Sequence, residues 1–383
     1  MRTVANAVQT SERVHGVSEP VGIERAERSH HAAPPVEAHA GESLRRFVTI
    51  SLAVFAGVLL LTGVANAVVD PLGSVGTGLV RPAVFSDHAE RLRLIDDLNE
   101  PPGLVVLGSS RALKAEPSYL QQLTGLTGFN AAAANGKTED GFAYANLFHD
   151  RWPDAKIKYL WLLEVEAFRP LPPSPQLLAE PELARHFPAS LRASSRLDDL
   201  QRLFEWRTTK SSVKSAWRAA RGAPQQGAVV ELAPDGFRTV DQHDRSEAAG
   251  VSFDARLAES VASAKRFVPV MQRTGLAPEA RGYFEQAVAD MNRAGTEPVI
   301  VLGPVHPRYR AAMGGVAYDR LNDELTTYLD GLHDHLKFTV VDRRDLDSFG
   351  GSPSEFYDGI HLHVANMRKM LASAVQDAGP ALH

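Results

Sequence analysis

A long run without a charged side chain constrains this sequence more than any other feature. The run reads FVTISLAVFAGVLLLTGVANAVV and covers Phe47–Val69. A helix of that length, rising about 1.5 Å per residue, crosses a hydrocarbon layer of roughly 30 Å. Arg45 and Arg46 stand directly before the run, and Asp70 follows it. Because positive residues favour the cytoplasmic side of a membrane, we expect one transmembrane helix with a cytoplasmic N-terminus and the long C-terminal part outside.

A cleaved signal peptide is the alternative interpretation of the same run. The small residues ANA at Ala65–Ala67 resemble a cleavage site. However, residues 1–46 would make a long leader, and the apolar run exceeds that of a typical signal peptide. We therefore favour a retained anchor at 47–69. Residues 1–46 have weak periodicity and no aromatic side chain, which predicts a disordered cytoplasmic tail.

Composition narrows the classes of protein and of site. With 383 residues, of which 44% are hydrophobic, the chain can form one domain with appendages. A net charge of −5 offers no broad basic surface, so no nucleic-acid partner is predicted. The chain has no cysteine, which excludes thiol nucleophiles, thiolate metal sites, disulfides and a lipoprotein anchor.

An alternation of strands and helices follows a linker and helix predicted at 70–103. Strand, helix, strand, helix, strand begins at GLVVLGSS, and the pattern resumes near the C-terminus. This order predicts an α/β domain with a parallel sheet over 104–383. The pattern is weaker over about 170–279, which we interpret as an insertion. The insertion contains RTTKSSVKSAWRAARG, a basic stretch that is either a solvated helix face or a contact for anionic lipid or polysaccharide.

Two short motifs at opposite ends of this domain suggest nucleophilic chemistry. The strand in VVLGSSRA ends at Ser109 and Ser110, and ligands collect at the carboxyl ends of strands in open α/β sheets. Either serine could instead be an ordinary turn or N-cap residue. Near the C-terminus, YDGIHL places Asp358 three residues before His361. A serine, a base and an orienting carboxylate together indicate a catalytic triad.

The chain resembles the SGNH/GDSL hydrolase superfamily in three segments. Gly108–Ser110 resembles its first block, with serine in place of aspartate. Phe129–Thr138, which reads FNAAAANGKT, resembles the second block, and Tyr357–Leu362 resembles the last. The resemblance covers roughly 104–374 without the insertion. It implies a three-layer α/β/α sandwich with a parallel sheet.

The resemblance also implies a role for each matched residue. Ser110, and not Ser109, would attack an ester carbonyl. His361 would take its proton, and Asp358 would hold the imidazole. The oxyanion would meet the N–H groups of Ser110 and Gly136, and Asn135 is a further candidate donor.

One departure weakens the assignment of an enzyme. The strand YLWLLEVEAF should end in a Gly-x-Asn third block but carries Glu164 and Glu166. The Gly-Ser-Ser form of the first block occurs in membrane-tethered relatives that act on cell-envelope polymers. We therefore expect O-acetyl transfer or de-esterification of an envelope polysaccharide, with a polytopic acyltransferase as partner. The alternative is a catalytically idle binding or scaffold module of the same fold.

Other polar residues near the motifs are secondary candidates. Arg111 and Lys137 directly follow two of the motifs and could bind an anionic substrate, although solvated loop charges are the simpler interpretation. His306 follows a predicted strand and either lines the site or is a loop residue. His363, with Asp358, suggests a metal site, but no further metal motif supports it. We predict neither a metal nor a cofactor.

Overall fold

A computed structural model describes residues 36–71, 77, 79, 86–222 and 231–382. Most of the predicted tail, 1–35, and much of the linker, 72–76 and 80–85, lie outside the described residues. By internal contacts the chain divides between Gly57 and Val58.

The apolar run lies in helix α1, Val36–Val69. This helix begins before the predicted span, so residues 36–46, which were predicted to belong to a disordered tail and include Arg45 and Arg46, are helical. Over Gly41–Val69 it is long and apolar enough to cross a membrane. Leu52 and Phe55 are among its large apolar side chains that the protein leaves exposed.

A parallel five-stranded sheet forms the centre of the second unit. Its strands are β1 (Leu104–Gly108), β2 (Gly128–Asn130), β3 (Lys158–Leu163), β6 (Val299–Leu302) and β7 (Thr339–Asp342), and they lie in the order β2-β1-β3-β6-β7. A separate antiparallel pair is formed by β4 (Glu231–Leu232) and β5 (Arg238–Val240). The predicted α/β class and parallel sheet are confirmed.

The helices fall into two groups along the chain. Those before, between and after the sheet strands are α2 (Asp87–Asp96), α3 (Pro117–Thr124), α4 (Thr138–Arg151), α12 (Pro278–Arg293), α13 (Pro307–Ala312), α14 (Val316–Leu332) and α15 (Val364–Ala378). Those in the predicted insertion are α5 (Pro175–Ala179), α6 (Pro181–Ala184), α7 (Ala189–Arg202), α8 (Trp206–Ala220), α9 (Gln242–Ala248), α10 (Phe253–Ala264) and α11 (Val268–Thr274).

Helices cover both faces of the sheet because successive strand residues point to opposite sides. In β1, Leu104 and Val106 join one apolar core, which includes side chains from α3 and α15. Val105 and Leu107 join the other core, which includes side chains from α4, α12 and α14. Strands buried on both faces in this way read as continuous apolar runs, as the sequence does here.

Close packing of α4 on β3 depends on Gly141. A Cβ at Gly141 would lie 2.2 Å from the Trp161 side chain. The indole of Trp161 is almost fully buried and also contacts the Phe284 ring, with centroids 5.3 Å apart. The glycine thus makes room for the largest side chain of the core.

The strand order fixes where a ligand can bind. From β1 the chain continues outward to β2, whereas from β3 it continues in the other direction to β6 and β7. Such a reversal opens a crevice at the carboxyl ends of the two central strands. Ser109 and Glu164 directly follow β1 and β3 and therefore lie at this crevice.

Candidate active site

The turn after β1 presents Ser110 because Gly108 allows a sharp change of direction. Gly108 has φ 147°, a conformation that favours glycine. A Cβ there would lie 2.8 Å from the Leu162 carbonyl oxygen and 2.9 Å from Ala112 Cβ. The chain then enters a 3₁₀ turn at Ser110–Ala112.

The two serines of this turn have different surroundings. Ser109 is buried, and its Oγ accepts the Arg111 N–H at 3.2 Å. Ser110 is partly exposed, and its Oγ lies 2.8 Å from His361 Nε2. The geometry therefore favours Ser110 as the nucleophile and gives Ser109 a supporting place.

Asp358 and His361 share a loop ahead of α15. His361 Nδ1 lies 2.9 Å from Asp358 Oδ2, and Asp358 Oδ1 accepts the N–H groups of Ile360 and His361 at 2.8 and 3.0 Å. Burial raises the pKa of Asp358, but the charge and hydrogen bond of His361 oppose this effect, and the net pKa is well below the usual range. A carboxylate only accepts, so Nδ1 carries the imidazole proton and Nε2 accepts the Ser110 hydroxyl.

Neighbouring backbone bonds hold this loop. The Tyr357 N–H donates to the His361 carbonyl at 2.8 Å, and the His306 N–H donates to the Gly359 carbonyl at 2.9 Å. A Cβ at Gly359 would lie 2.5 Å from the Tyr309 ring and 2.6 Å from Ser260 Oγ. The glycine therefore lets the loop approach its neighbours closely enough to fix the imidazole.

The expected oxyanion donors are only partly available. The Ser110 N–H has no acceptor among the described residues. The Gly136 N–H donates to the Ala133 carbonyl at 2.9 Å and closes a turn, so it is not a free donor. Asn135 has φ 58°, is exposed at the cavity, and its side-chain amide makes no hydrogen bond within the described part of the chain. Asn135 thus fits the donor role better than Gly136.

Asn130, at the end of β2, stabilises the turn that follows β1. Its Nδ2 donates to the Ala112 and Ala115 carbonyls at 2.8 Å each, and its Oδ1 accepts the Ala132 N–H at 3.0 Å. The side chain is fully buried. This buried amide joins the first and second sequence motifs.

The insertion contributes a second histidine that the sequence motifs did not reveal. The ring centroid of His243 lies 4.0 Å from that of His361, and His243 Nδ1 lies 3.6 Å from Asp358 Oδ2. Burial, followed by the neighbouring His361, lowers the pKa of His243 to about 4. His243 is therefore neutral at pH 7 and places no second positive charge beside the imidazole.

Helix α9 is anchored by a charged network that presents His243. Asp241 Oδ1 accepts the N–H groups of His243 and Asp244 at 2.7 and 3.2 Å. Asp244 in turn accepts from Lys114 Nζ and from the Tyr357 hydroxyl, both at 2.6 Å. The N-cap pattern at DQHD is a sequence signal that could have indicated this helix.

These residues surround a cavity of about 260 Å³. Its lining includes Ser110, Asn135, Glu164, Glu166, Arg169, Gln242, His243 and His361. Arg169 follows β3, near where a third-block amide was expected, and its Nη2 donates to the Asn135 carbonyl at 2.8 Å. The cavity beside Ser110 and His361 is thus lined by the carboxyl groups of Glu164 and Glu166 and by the Arg169 guanidinium group.

Neither a scan against protein-family models nor a search of curated proteins finds a match for this sequence. The chemistry of the site is therefore inferred from its own geometry.

The two basic secondary candidates lie in different settings. Arg111 lines the cavity, but its Nη2 donates to the Pro304 carbonyl at 2.5 Å. Lys137 is buried, donates to the carbonyls of Leu171 and Pro172, and pairs with Glu139, so the structure does not bring it into the cavity.

The two remaining histidines also lie away from the cavity lining. His306 caps α13, where its Nδ1 accepts the Arg308 N–H at 3.1 Å. His363 lies within 3.5 Å of Glu247 and Glu355.

Among the described residues, His243, Asp358 and His361 form a group that could hold a metal ion, with ligand atoms within 4.8 Å of one another. A metal there would compete with the hydrogen bonds that Asp358 makes to His361. The group differs from the sequence interpretation, which considered His363.

Proposed function

We propose that this protein carries out serine-dependent acyl-ester chemistry, as O-acetyl transfer or de-esterification, on a cell-envelope polysaccharide. The observation that carries the proposal is the continuous path from Ser110 Oγ to His361 Nε2, 2.8 Å, and from His361 Nδ1 to Asp358, 2.9 Å. This is the arrangement that a nucleophile, a general base and an orienting carboxylate require.

The reaction proceeds in two halves. Ser110 Oγ bonds to the acyl carbon while His361 Nε2 takes the hydroxyl proton, and Asp358 stabilises the imidazolium. The bond between the acyl carbon and the ester oxygen then breaks, and His361 returns the proton to the leaving alcohol. Water or a sugar hydroxyl next gives its proton to His361 and attacks the acyl carbon. The bond between that carbon and Ser110 Oγ then breaks, and His361 returns the proton to Ser110 Oγ. Water makes the protein an esterase, and a sugar hydroxyl makes it an acyltransferase.

The choice of a polysaccharide as substrate rests on the resemblance to the SGNH/GDSL superfamily. The proposed location in the membrane rests on α1. We assign the chain to the SGNH/GDSL superfamily, with the sheet and its covering helices as the three-layer sandwich of that family. Helix α1 would cross the membrane once, with the N-terminus in the cytoplasm and Ser110 outside. A polytopic acyltransferase in the same membrane would supply the acyl group.

A second candidate function is a catalytically idle binding or scaffold module. The specific observation in its favour is the oxyanion region. The Gly136 N–H is used within a turn, and Glu164 occupies the expected third block, with burial raising the pKa of its carboxyl group. A site with too few donors would bind an ester without stabilising its transition state.

Covalent labelling separates the two functions. The full chain, in detergent, is incubated with a fluorophosphonate or an acyl-ester probe, and the adduct is mapped by mass spectrometry. We expect an adduct on Ser110 that disappears in His361→Ala and persists in the matched control Ser109→Ala. An adduct on Ser109 would move the nucleophile by one residue. No adduct on a folded chain would favour the idle module.

A further inference from the structure

Helix α8 presents an apolar stripe to the outside of the protein. The exposed fractions of Trp206, Val213 and Trp217 are 77%, 65% and 54%. Because these positions are seven and four residues apart, they lie along one side of the helix. Large apolar side chains grouped on an exposed face usually mark a surface that another molecule covers.

The opposite side of α8 is polar and buried. Thr208, Ser212 and Ser215 are each less than a tenth exposed. The hydroxyls of Ser212 and Ser215 have no hydrogen-bond partner among the described residues. A helix on the water-exposed surface of a soluble protein has the reverse pattern, with its apolar stripe facing the protein core. The orientation of α8 therefore suits an apolar environment on the outside.

The start of α8 contacts the end of α1. Asn66 Nδ2 donates to the Leu203 carbonyl at 2.6 Å and to Thr209 Oγ1 at 2.9 Å. At Gly63 an added Cβ would lie 2.7 Å from the Phe204 ring, so the helix and ring touch there. Since the apolar stretch of α1 ends at Val69, these contacts place the first turn of α8 at the level where that stretch ends.

The charged side chains within α8 all have one sign, and the exposed Glu205 precedes the helix as its N-cap. Helix α8 carries four basic residues and no acidic one. Lys210 and Lys214 are exposed beside the stripe. The Arg221 guanidinium lies 3.7 Å from the centre of the Trp217 ring. Tryptophan at the headgroup level with basic residues beside it is the pattern of helices that lie in a membrane interface.

We infer that α8 lies on the membrane surface, with Trp206, Val213 and Trp217 inserted between lipid headgroups and acyl chains. Lys210 and Lys214 face lipid phosphates, so anionic phospholipid strengthens the contact. This second attachment would hold the α/β unit against the leaflet next to it. The inference rests on α1 crossing the membrane, which is part of the proposed function, and does not depend on the acyl-ester chemistry.

The absence of cysteine allows a direct depth measurement. Val213→Cys in the full chain is spin-labelled and reconstituted in nanodiscs of phosphatidylcholine and phosphatidylglycerol. Accessibility to oxygen, which enters lipid, is compared with accessibility to a water-soluble nickel chelate. We expect the oxygen-to-nickel ratio at position 213 to be several-fold higher than for the matched control Val316→Cys, whose parent side chain is 69% exposed on α14. Replacing phosphatidylglycerol with phosphatidylcholine should lower the ratio at 213 and leave that at 316 unchanged.

A label at Leu60→Cys within α1 separates the two levels of the proposal. Lipid accessibility at 60 with a water-like ratio at 213 would overturn the inference for α8 and point to a protein partner on its stripe. A water-like ratio at both positions would contradict the membrane span itself. Neither result bears on the acyl-ester chemistry, which is tested separately by ester turnover of the unlabelled chain.

Discussion

Two walls of the cavity around Ser110 are built in different ways. The first, the sheet wall, consists of loops that follow strands of the parallel sheet, and it carries Ser110, Asn135, Asp358 and His361. The second, the insertion wall, consists of α9 and α10, and it includes His243. A chain of hydrogen bonds of 2.8 to 2.9 Å joins three side chains of the sheet wall. The insertion wall meets that chain through a ring contact, 4.0 Å between centroids, and a longer approach of 3.6 Å to Asp358.

This difference suggests separate roles for the two walls, with proton transfer on the sheet wall and control of the local environment on the insertion wall. Proton transfer requires short, directed contacts, which the sheet wall has. The insertion wall shapes the cavity and determines the charge near the imidazole. Variants on the sheet wall should therefore affect turnover, whereas variants on the insertion wall should mainly affect stability and its pH dependence.

The largest effect is expected from Asp358→Asn. The backbone N–H groups of Ile360 and His361 would hold the amide oxygen, so the amide NH2 would face His361 Nδ1 and favour the wrong tautomer. The kcat for an acetyl ester should therefore fall by about ten-thousand-fold. The assay is ester hydrolysis by the full chain in detergent, with far-UV circular dichroism to check folding. His363→Ala, on the same loop but outside the cavity lining, should cost less than tenfold. If Asp358→Asn kept more than a tenth of the activity, the sheet wall would not operate as a triad.

A smaller effect is expected from Asn135→Asp, which keeps the shape of the side chain but removes its donor. Loss of one oxyanion donor usually lowers kcat by about a hundred- to a thousand-fold. KM should change little, because the donor acts on the transition state. Asn135→Ala distinguishes donor loss from added charge, since it should show a similar loss. Full activity in the alanine variant would show that Asn135 is not an oxyanion donor beside the Ser110 N–H.

The smallest effect is expected on the insertion wall, from His243→Gln. In the folded chain the pKa of His243 is about 4, compared with about 6.5 for an exposed histidine. Between these values the unfolded chain binds the proton and the folded chain does not, so the free energy of unfolding falls as pH decreases. From pH 7 to 5 this site should cost about 2 kcal/mol, and the glutamine variant should lose that part of the slope.

Urea unfolding followed by tryptophan fluorescence measures the slope for both proteins. The groups near His243 that also titrate or carry charge are His361, Asp358, Asp241 and Asp244. All four are retained in the variant, so the difference between the two slopes belongs to His243. Equal slopes would mean that His243 is not protected from protonation. A loss of turnover as large as that of Asp358→Asn would contradict the division between the walls.

Short-range patterns predicted the sheet wall well. Apolar runs predicted the strands, and the residues after them, Ser110 and His361, meet as expected because parallel strands bring their carboxyl ends to one edge. Side-chain environment was harder to predict. Lys137 follows a motif but turns inward to Glu139 and to the carbonyls of Leu171 and Pro172, and these two carbonyls lie more than 30 residues away in the sequence.

The sequence patterns did not predict the insertion wall. His243 sits in a short helix whose N-cap pattern indicates where the helix begins but not what it contacts. Its position depends on Lys114 and Tyr357, which come from distant parts of the chain. The Gly136 N–H illustrates a different limit. The resemblance to the second block identified Gly136, but only the structure shows that its N–H already donates a hydrogen bond to the Ala133 carbonyl.

The place of the insertion in the sheet has a consequence for the order in which the chain folds. Strands β1, β2 and β3 are close in sequence, as are β6 and β7, whereas pairing β3 with β6 must close the long segment from Leu163 to Val299. Closing a long loop adds only about 0.6 kcal/mol for each doubling of its length, but distant pairings slow folding. Ser110 belongs to the first group of strands and His361 follows the second. The two therefore meet only when this seam closes, so a chain in which β3 and β6 are still unpaired would lack the hydrogen bond between Ser110 and His361.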